Sequence, residues 1–290
     1  MEKEAGRFED AKIASILGIL GNALLMVIKG IIGFSTKSQS MIADFANSLS
    51  DIFSSLLTYI GNKIASKPED NEHNLGHGKA EYIFSFLISI GMIYLAYTTI
   101  KDSILSIVKR QESVFSIWLI VVTIITIIIK FLLFLYTERI SKKYNNILVE
   151  ANAKDHRNDC FIALVNMFSI ILSKNGIYFA DGIGGLIISI YILYGGIDLF
   201  IKCFNILMDK SIDKNKKDEV LQIVKAHKEI KKIQHFNSTP IGYRYQVSIS
   251  IFVDGNMSTY ESHKIADDLE KEIVSKIPEI YLVIIHVNPI

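Results

Sequence analysis

The chain has 290 residues, half of them hydrophobic, with a mean hydropathy of +0.33 and a formal net charge of +1. Hydropathy this high argues against a purely water-soluble protein, and a charge this near zero gives no electrostatic case for a nucleic-acid partner. Charges thin out between Ile13 and Met208 and crowd into the residues beyond, which divides the sequence into a membrane part, 1–208, and a soluble part, 209–290.

In chain order, the polar stretch Met1–Lys12 has no small-residue cleavage site behind a short apolar core. The first apolar run is therefore expected to be a retained span rather than a signal peptide. A helix needs about 20 apolar residues to cross the hydrocarbon core. Six segments meet that length: Ile13–Phe34, Gln39–Ile60, Tyr82–Val108, Ser116–Tyr136, Ile147–Ser173 and Ile177–Leu207. The second and fifth are the weakest by hydropathy because they carry acids and amides. Basic residues set the orientation. Lys3, Arg7 and Lys12 precede span one, Lys63, Lys67 and Lys79 follow span two, and Arg139, Lys142 and Lys143 follow span four. The other side has only Lys37, Lys109 with Arg110, and Lys174. The positive-inside rule then puts both termini of this multi-pass protein in the cytoplasm. Cys160 and Cys203 lie in apolar segments, make no disulfide framework and read as inert thiols.

After Met208 the pattern changes. Lys214–His227 is an amphipathic helix, Ile230–Phe236 a short strand, and Tyr243–Val253 alternates at period two through Tyr245, Val247, Ile249 and Ile251. Ser258–Lys276 has helical spacing and Tyr281–Val287 is a β-branched strand. The fold class is thus a six-helix transmembrane bundle followed by a small two-layer α+β domain in the order α-β-β-α-β. No Gly-rich phosphate loop or nucleophile elbow is present in it.

Chemistry concentrates in spans two and five. The first carries Ala43-Asp44-Phe45-Ala46-Asn47-Ser48-Leu49-Ser50-Asp51, and the other opens with Ala151-Asn152-Ala153-Lys154-Asp155-His156-Arg157-Asn158-Asp159. Residues four apart share a helix face, which pairs Asn47 with Asp51 and Asp155 with Asp159. An ionised Asp at the centre of a membrane helix costs roughly 2.5–3.5 kcal/mol on insertion scales and usually faces the bundle interior. One such Asp could simply bond a Ser or Lys of a neighbouring helix. Two spans, each with a four-spaced oxygen pair, fit an ion site better. Packed together, three carboxylates and one amide oxygen suit a hard divalent cation. Clustered carboxylates repel one another and retain protons that a metal displaces, so metal and proton compete for one set of oxygens.

These motifs resemble those of the cation diffusion facilitator transporters, which have Asx/His-x-x-x-Asp on span two and His/Asp-x-x-x-Asp on span five. The string His73-Asn74-Leu75-Gly76-His77-Gly78-Lys79-Ala80-Glu81 is similar to the one that opens the third span in that family. The resemblance covers nearly the whole chain. It implies a homodimer, with a metallochaperone-like cytoplasmic domain, that exports divalent metal from the cytoplasm against protons by rocking between inward- and outward-facing states. No nucleotide and no enzymatic step are involved. Zinc transporters of the family commonly supply His where this chain has Asn47 or Asp155. An all-oxygen quartet resembles the manganese-exporting branch, in keeping with the preference of manganese for carboxylate, carbonyl and water. Zinc, iron and cobalt are the alternatives. His156 is turned about 100° from Asp155, off the site face.

Other candidates follow from the resemblance. Asp70, His73 and His77 match a peripheral metal site, with a solvated polar loop as the plain alternative. His235, His263 and His286 match metal-binding histidines of the cytoplasmic domain, but Ser250 and Asn288 replace two expected partners, which puts a full two-metal cluster in doubt. His227 reads as a solvated helix end. Lys79 and Asp209 match a charge interlock, the alternative being an ordinary surface pair. Asp44 lies near the face of Asn47 and Asp51 and could support the site or relay protons. Asp181 receives no role, and Lys29 and Lys130, which would snorkel or pair internally, are assigned none. Two other classes compete with transport: an intramembrane aspartyl protease, disfavoured because Asp181-Gly182 lacks a preceding Gly-x-Gly, and a membrane-anchored metal sensor that moves no ions. The Ile-, Lys- and Asn-rich composition points to an AT-rich bacterial genome, hence a bacterial inner membrane.

Overall fold

The computed structural model describes residues 2–36, 39–109, 117–173 and 180–290. The chain forms two compact units: Met1–Lys67 with Ala80–Phe204, and Pro68–Lys79 with Asn205–Ile290.

The first unit is built from six helices: α1 (Glu2–Thr36), α2 (Gln39–Ala65), α3 (Ala80–Lys109), α4 (Ile117–Tyr144), α5 (Ile147–Ser173) and α6 (Ala180–Leu207). Among the described residues, four stretches are long and apolar enough to cross a membrane: Gly6–Ile32, Ala80–Leu105, Ile117–Tyr144 and Gly182–Leu207. Helices α2 and α5 fall short because they hold the charges. Ser116 and 177–179, expected at span starts, lie outside the described residues, as do Lys37, Arg110 and Lys174 of the loops.

The bundle is apolar outside and polar inside. On α1, Leu20, Leu24, Val27 and Ile31 are exposed along one stripe, and on α4 so are Ile124, Ile128, Phe131 and Leu135. The buried residues include Asn22, Ser48, Ser55, Thr58, Asn62, Asn152 and Asn158. That inversion suits a hydrocarbon surround, where apolar side chains need no cover and polar ones must find each other. Helices α3 and α6 meet through small residues. A Cβ at Gly185 would lie 2.2 Å from the Ser103 hydroxyl, and one at Gly182 2.8 Å from the Ser103 carbonyl.

Two helices run beyond their apolar runs. Helix α1 starts at Glu2 rather than Ile13, and α4 continues to Tyr144 rather than stopping at Tyr136. Ion pairs hold these polar turns. The Arg7 guanidinium forms a buried bidentate pair with Glu81, and Lys143 Nζ and the Tyr144 hydroxyl donate to Asp10 at 3.0 and 2.8 Å. Hydropathy marks where lipid begins, not where a helix does.

The second unit comprises α7 (Lys214–Ala226), β1 (Lys232–Ile241), β2 (Arg244–Val253), α8 (Thr259–Lys276) and β3 (Ile280–Pro289). The sheet order is β1-β2-β3, antiparallel then parallel, so β2 and β3 are joined by the α8 crossover. Val247, Ile249, Ile251 and Val253 form one buried row of β2 and pack with Val220, Val224, Leu269 and Ile273 of the helices. Ser258 caps α8 in a reciprocal pair with Glu261. The first strand is longer than the expected Ile230–Phe236 and later in the chain. It runs through Pro240, which an edge strand tolerates. Gly242 turns the hairpin with a φ of +61°, and a Cβ there would meet the Gly78 Cα at 3.0 Å. The loop 68–79 is thereby seated on this unit, helped by the Tyr281 hydroxyl donating to Glu69 at 2.9 Å.

Candidate metal centre

Helix α5 begins where it does because of two asparagines. Asn145 takes a left-handed φ of 49°, and the Asn146 Oδ1 accepts from the Leu148 and Val149 amides, each at 3.0 Å. That fixed start sets the facing of Asp155 and, one turn on, of Asp159. Asn152 Nδ2 then donates to Thr58 Oγ1 at 3.0 Å and ties α5 to α2.

The two helices bring Asp51, Asp155 and Asp159 together, with one carboxylate oxygen from each lying within 4.8 Å of the others. Asp155 is buried and the other two are half-buried. All three line a cavity of about 550 Å³, together with Asn47, Ser50 and Lys29. Asn47 is exposed on that wall. Three clustered acids, with an amide on the wall of the same cavity, are a donor set for a hard cation. The side chains of Asp44 and Asp181 lie outside the described residues.

Sequence reasoning missed the cation in the middle. Lys130 of α4 is fully buried, and its Nζ donates to Asp51 Oδ2 at 2.7 Å and to Asp159 Oδ2 at 2.5 Å. Lys29 of α1 is also buried and donates to Ser48 Oγ at 3.1 Å. The signal for Lys130 was in the sequence, since it is the one charge between Ile117 and Tyr136. A lysine at that depth needs acidic partners, and α2 and α5 supply them. His156 behaves as its one-residue offset implies. It is fully buried beside Gly18 and Ser55, and neither ring nitrogen has a hydrogen-bond partner among the described residues.

A second cluster sits in the loop 68–79. Asp70 Oδ1 accepts from the Glu72 and His73 amides at 3.0 and 2.7 Å, and these bonds fold the turn. The amides, that of His73 above all, hold the Asp70 carboxyl below the usual carboxylate range. His77 Nε2 and His73 Nδ1 each lie 3.4 Å from an Asp70 oxygen, and the two rings are 4.4 Å apart. His77 Nδ1 faces the Pro68 carbonyl at 3.2 Å, close enough to donate to it. Two imidazoles and a carboxylate within 4.8 Å make this the other grouping that could hold a metal among the described residues.

The histidines of the second unit do not converge. His235 is paired with Ser250 and Ser250 with His286, so the three form one row across the sheet. That row lies on the face away from the helices, since Ser250 alternates with the buried Ile249 and Ile251. His263 is on α8, 3.2 Å from Asp267, and lines a shallow hollow with Ile285 and Val287 rather than His286. Within one chain the trio is not assembled. Asn288 continues the row of His286 and is half-buried. His227 is not a solvated end: its Nε2 meets Glu272 at 2.8 Å and links α7 to α8. Lys79 and Asp209 do pair, at 2.7 Å.

The cation efflux transmembrane domain family matches residues 15–208, and the cation efflux protein cytoplasmic domain family matches residues 212–290. The chain is 32% identical to an uncharacterized transporter of Methanocaldococcus jannaschii, covering 86% of this chain and 88% of the relative. It is 26% identical to the manganese efflux system protein MneP of Bacillus subtilis, covering 98% and 97%, and 25% identical to the cation-efflux pump FieF of Shewanella oneidensis, covering 96% and 94%. The chain belongs to the cation diffusion facilitator family of divalent-cation efflux transporters, which are membrane proteins and not enzymes.

Proposed function

We propose that the protein is a Mn2+/H+ antiporter that binds its substrate at Asn47, Asp51, Asp155 and Asp159 and moves it by alternating access. The observation that carries this reading is the meeting of three carboxylates from α2 and α5 in one cavity of the bundle. All four donors are oxygens, and carboxylate and carbonyl ligands suit manganese where zinc favours nitrogen and sulfur. The relative named for manganese efflux points the same way. Protons are the counter-ion because crowded carboxylates hold them until a metal displaces them.

The proposal includes six spans. Although α2 and α5 are less apolar than the rest, their carboxylates Asp51, Asp155 and Asp159 face the interior cavity, which is where a membrane protein tolerates them. With an even span number and basic residues concentrated on the side of Lys63 and Arg139, both termini lie in the cytoplasm of a bacterial inner membrane. The protein works as a homodimer through residues 209–290, in keeping with the family of that segment. Lys79 and Asp209 act as a charge interlock.

The test is flux. Purified protein in sealed proteoliposomes should move Mn2+ when a pH gradient supplies counter-moving protons. A membrane-anchored sensor would bind the metal and move none.

A further inference from the structure

We infer that Lys130 is a tethered competitor of the transported metal: its ammonium and the divalent cation exclude one another at Asp51 and Asp159. This rests on the reading of those carboxylates as the transport site. The geometry is specific. One buried Nζ is held between Asp51 Oδ2 and Asp159 Oδ2, at 2.7 and 2.5 Å, and so bridges α4 to both acid-bearing helices. A hard divalent cation binds its oxygens at about 2.0–2.6 Å. It would therefore need the same oxygens at nearly the same distance, in a space already holding a positive charge. Two cations that close repel strongly in a bundle interior, where water screens them little. The ammonium withdraws when the metal arrives and returns when it leaves.

The device answers a physical difficulty of the site. Three carboxylates around one divalent ion hold it tightly, and a transporter must also let go. A lysine on a four-carbon stem offers a replacement charge at no diffusional delay. It lowers affinity and speeds release together. It also keeps the three acids from standing uncompensated in the bundle, where an unpaired buried charge is strongly destabilising. Lys29 lines the same cavity, but its Nζ bonds Ser48 Oγ at 3.1 Å and makes no hydrogen bond to Asp51, Asp155 or Asp159 among the described residues.

The experiment is Mn2+ flux in proteoliposomes at one fixed pH gradient, comparing wild type, Lys130→Met, Lys130→Arg and Asp155→Ala. Lys130→Met keeps the bulk and removes the charge. It should lower KM for Mn2+ by at least about tenfold, the step that 1.4 kcal/mol represents, and lower kcat as release becomes slow. Lys130→Arg keeps a cation and should keep KM near wild type. A merely structural lysine would give the opposite pattern, with reduced flux and no gain in apparent affinity. An unchanged or raised KM in Lys130→Met, with flux still abolished by Asp155→Ala, overturns the competition and leaves the site standing. Flux indifferent to Asp155→Ala removes the site itself. Should Lys130→Met fail to fold, the wild type decides. A structure with Mn2+ bound must show Lys130 Nζ beyond hydrogen-bond distance of both carboxylates, and retention of both bonds refutes the proposal.

Discussion

Among the described residues two clusters could hold a metal, and they are built on opposite terms. In the bundle, Asp51, Asp155 and Asp159 come from helices, are buried or half-buried, and have Lys130 among them. In the loop 68–79, Asp70, His73 and His77 are mostly exposed, and the acid's partners are backbone amides and imidazoles. The first is three like charges out of water, which is an unstable arrangement without a cation. The second is one charge in water, stable as it is. A site that must take up and give up an ion benefits from the former. A site that only holds an ion, or merely holds a turn, needs no more than the latter.

The largest effect expected from this contrast is on flux. Replacing Asp51, Asp155 or Asp159 by Ala should reduce Mn2+ transport by at least about 100-fold, since even residues that only support metal ligands cost 10–100-fold. His73→Ala or His77→Ala should leave transport within about threefold, by the same reasoning that surface features matter little. Equal losses from both clusters in one flux assay would erase the distinction between them.

A smaller effect should appear in selectivity. Asn47→His puts a borderline nitrogen donor and a larger ring where a neutral oxygen leaves room for water. It should raise the Zn2+ to Mn2+ transport ratio by about tenfold, the scale of one 1.4 kcal/mol preference. Asp155→His should act in the same direction. Parallel flux assays with both metals measure it. A wild type that already prefers Zn2+ would remove the case for manganese.

Much of this was legible beforehand. The four-spaced pairs gave the acids, and period-two alternation gave the core row of β2 through Val247, Ile249 and Ile251. What was not legible depended on partners distant in sequence. Lys130 was visible as an oddity but its acids lie 79 and 29 residues away. The polar turns that extend α1 and α4 are held by Arg7 to Glu81 and Lys143 to Asp10. Asn237-Ser238-Thr239-Pro240 looks like a turn, yet it is strand because Ser238 accepts from the Ile212 amide at 2.9 Å and pairs with Val247. The row of His235, Ser250 and His286 needed the sheet register, which local pattern does not supply.

Two modest effects sharpen the exposed half of the comparison. Asp70 has a lowered pKa in the folded loop, so its stabilising bonds are present above the usual value of 3.8 and are lost only as pH falls through the lower, folded one. The turn at Asp70 should therefore stay protected from proteolysis on acidification to pH 5, and Asp70→Asn should behave like the wild type at neutral pH only if the amide bonds, not the charge, hold the turn. Smallest of all is Lys79→Ala. Its pair with Asp209 is exposed, and such pairs contribute about 0.2–1 kcal/mol, so denaturant midpoints of the full chain should barely move. A loss several times larger would mean that the interlock also carries the stability of the fold.

The central claim is that the transported ion sits among the helices and not in the loop. Anomalous diffraction from crystals of the full-length protein grown with Mn2+ locates it directly. The expected result is a peak within coordination distance of Asp51, Asp155 and Asp159, with Asn47 or a water completing the sphere and Lys130 turned away. A peak confined to Asp70, His73 and His77, with Lys130 still bonded to Asp51 and Asp159, would contradict it.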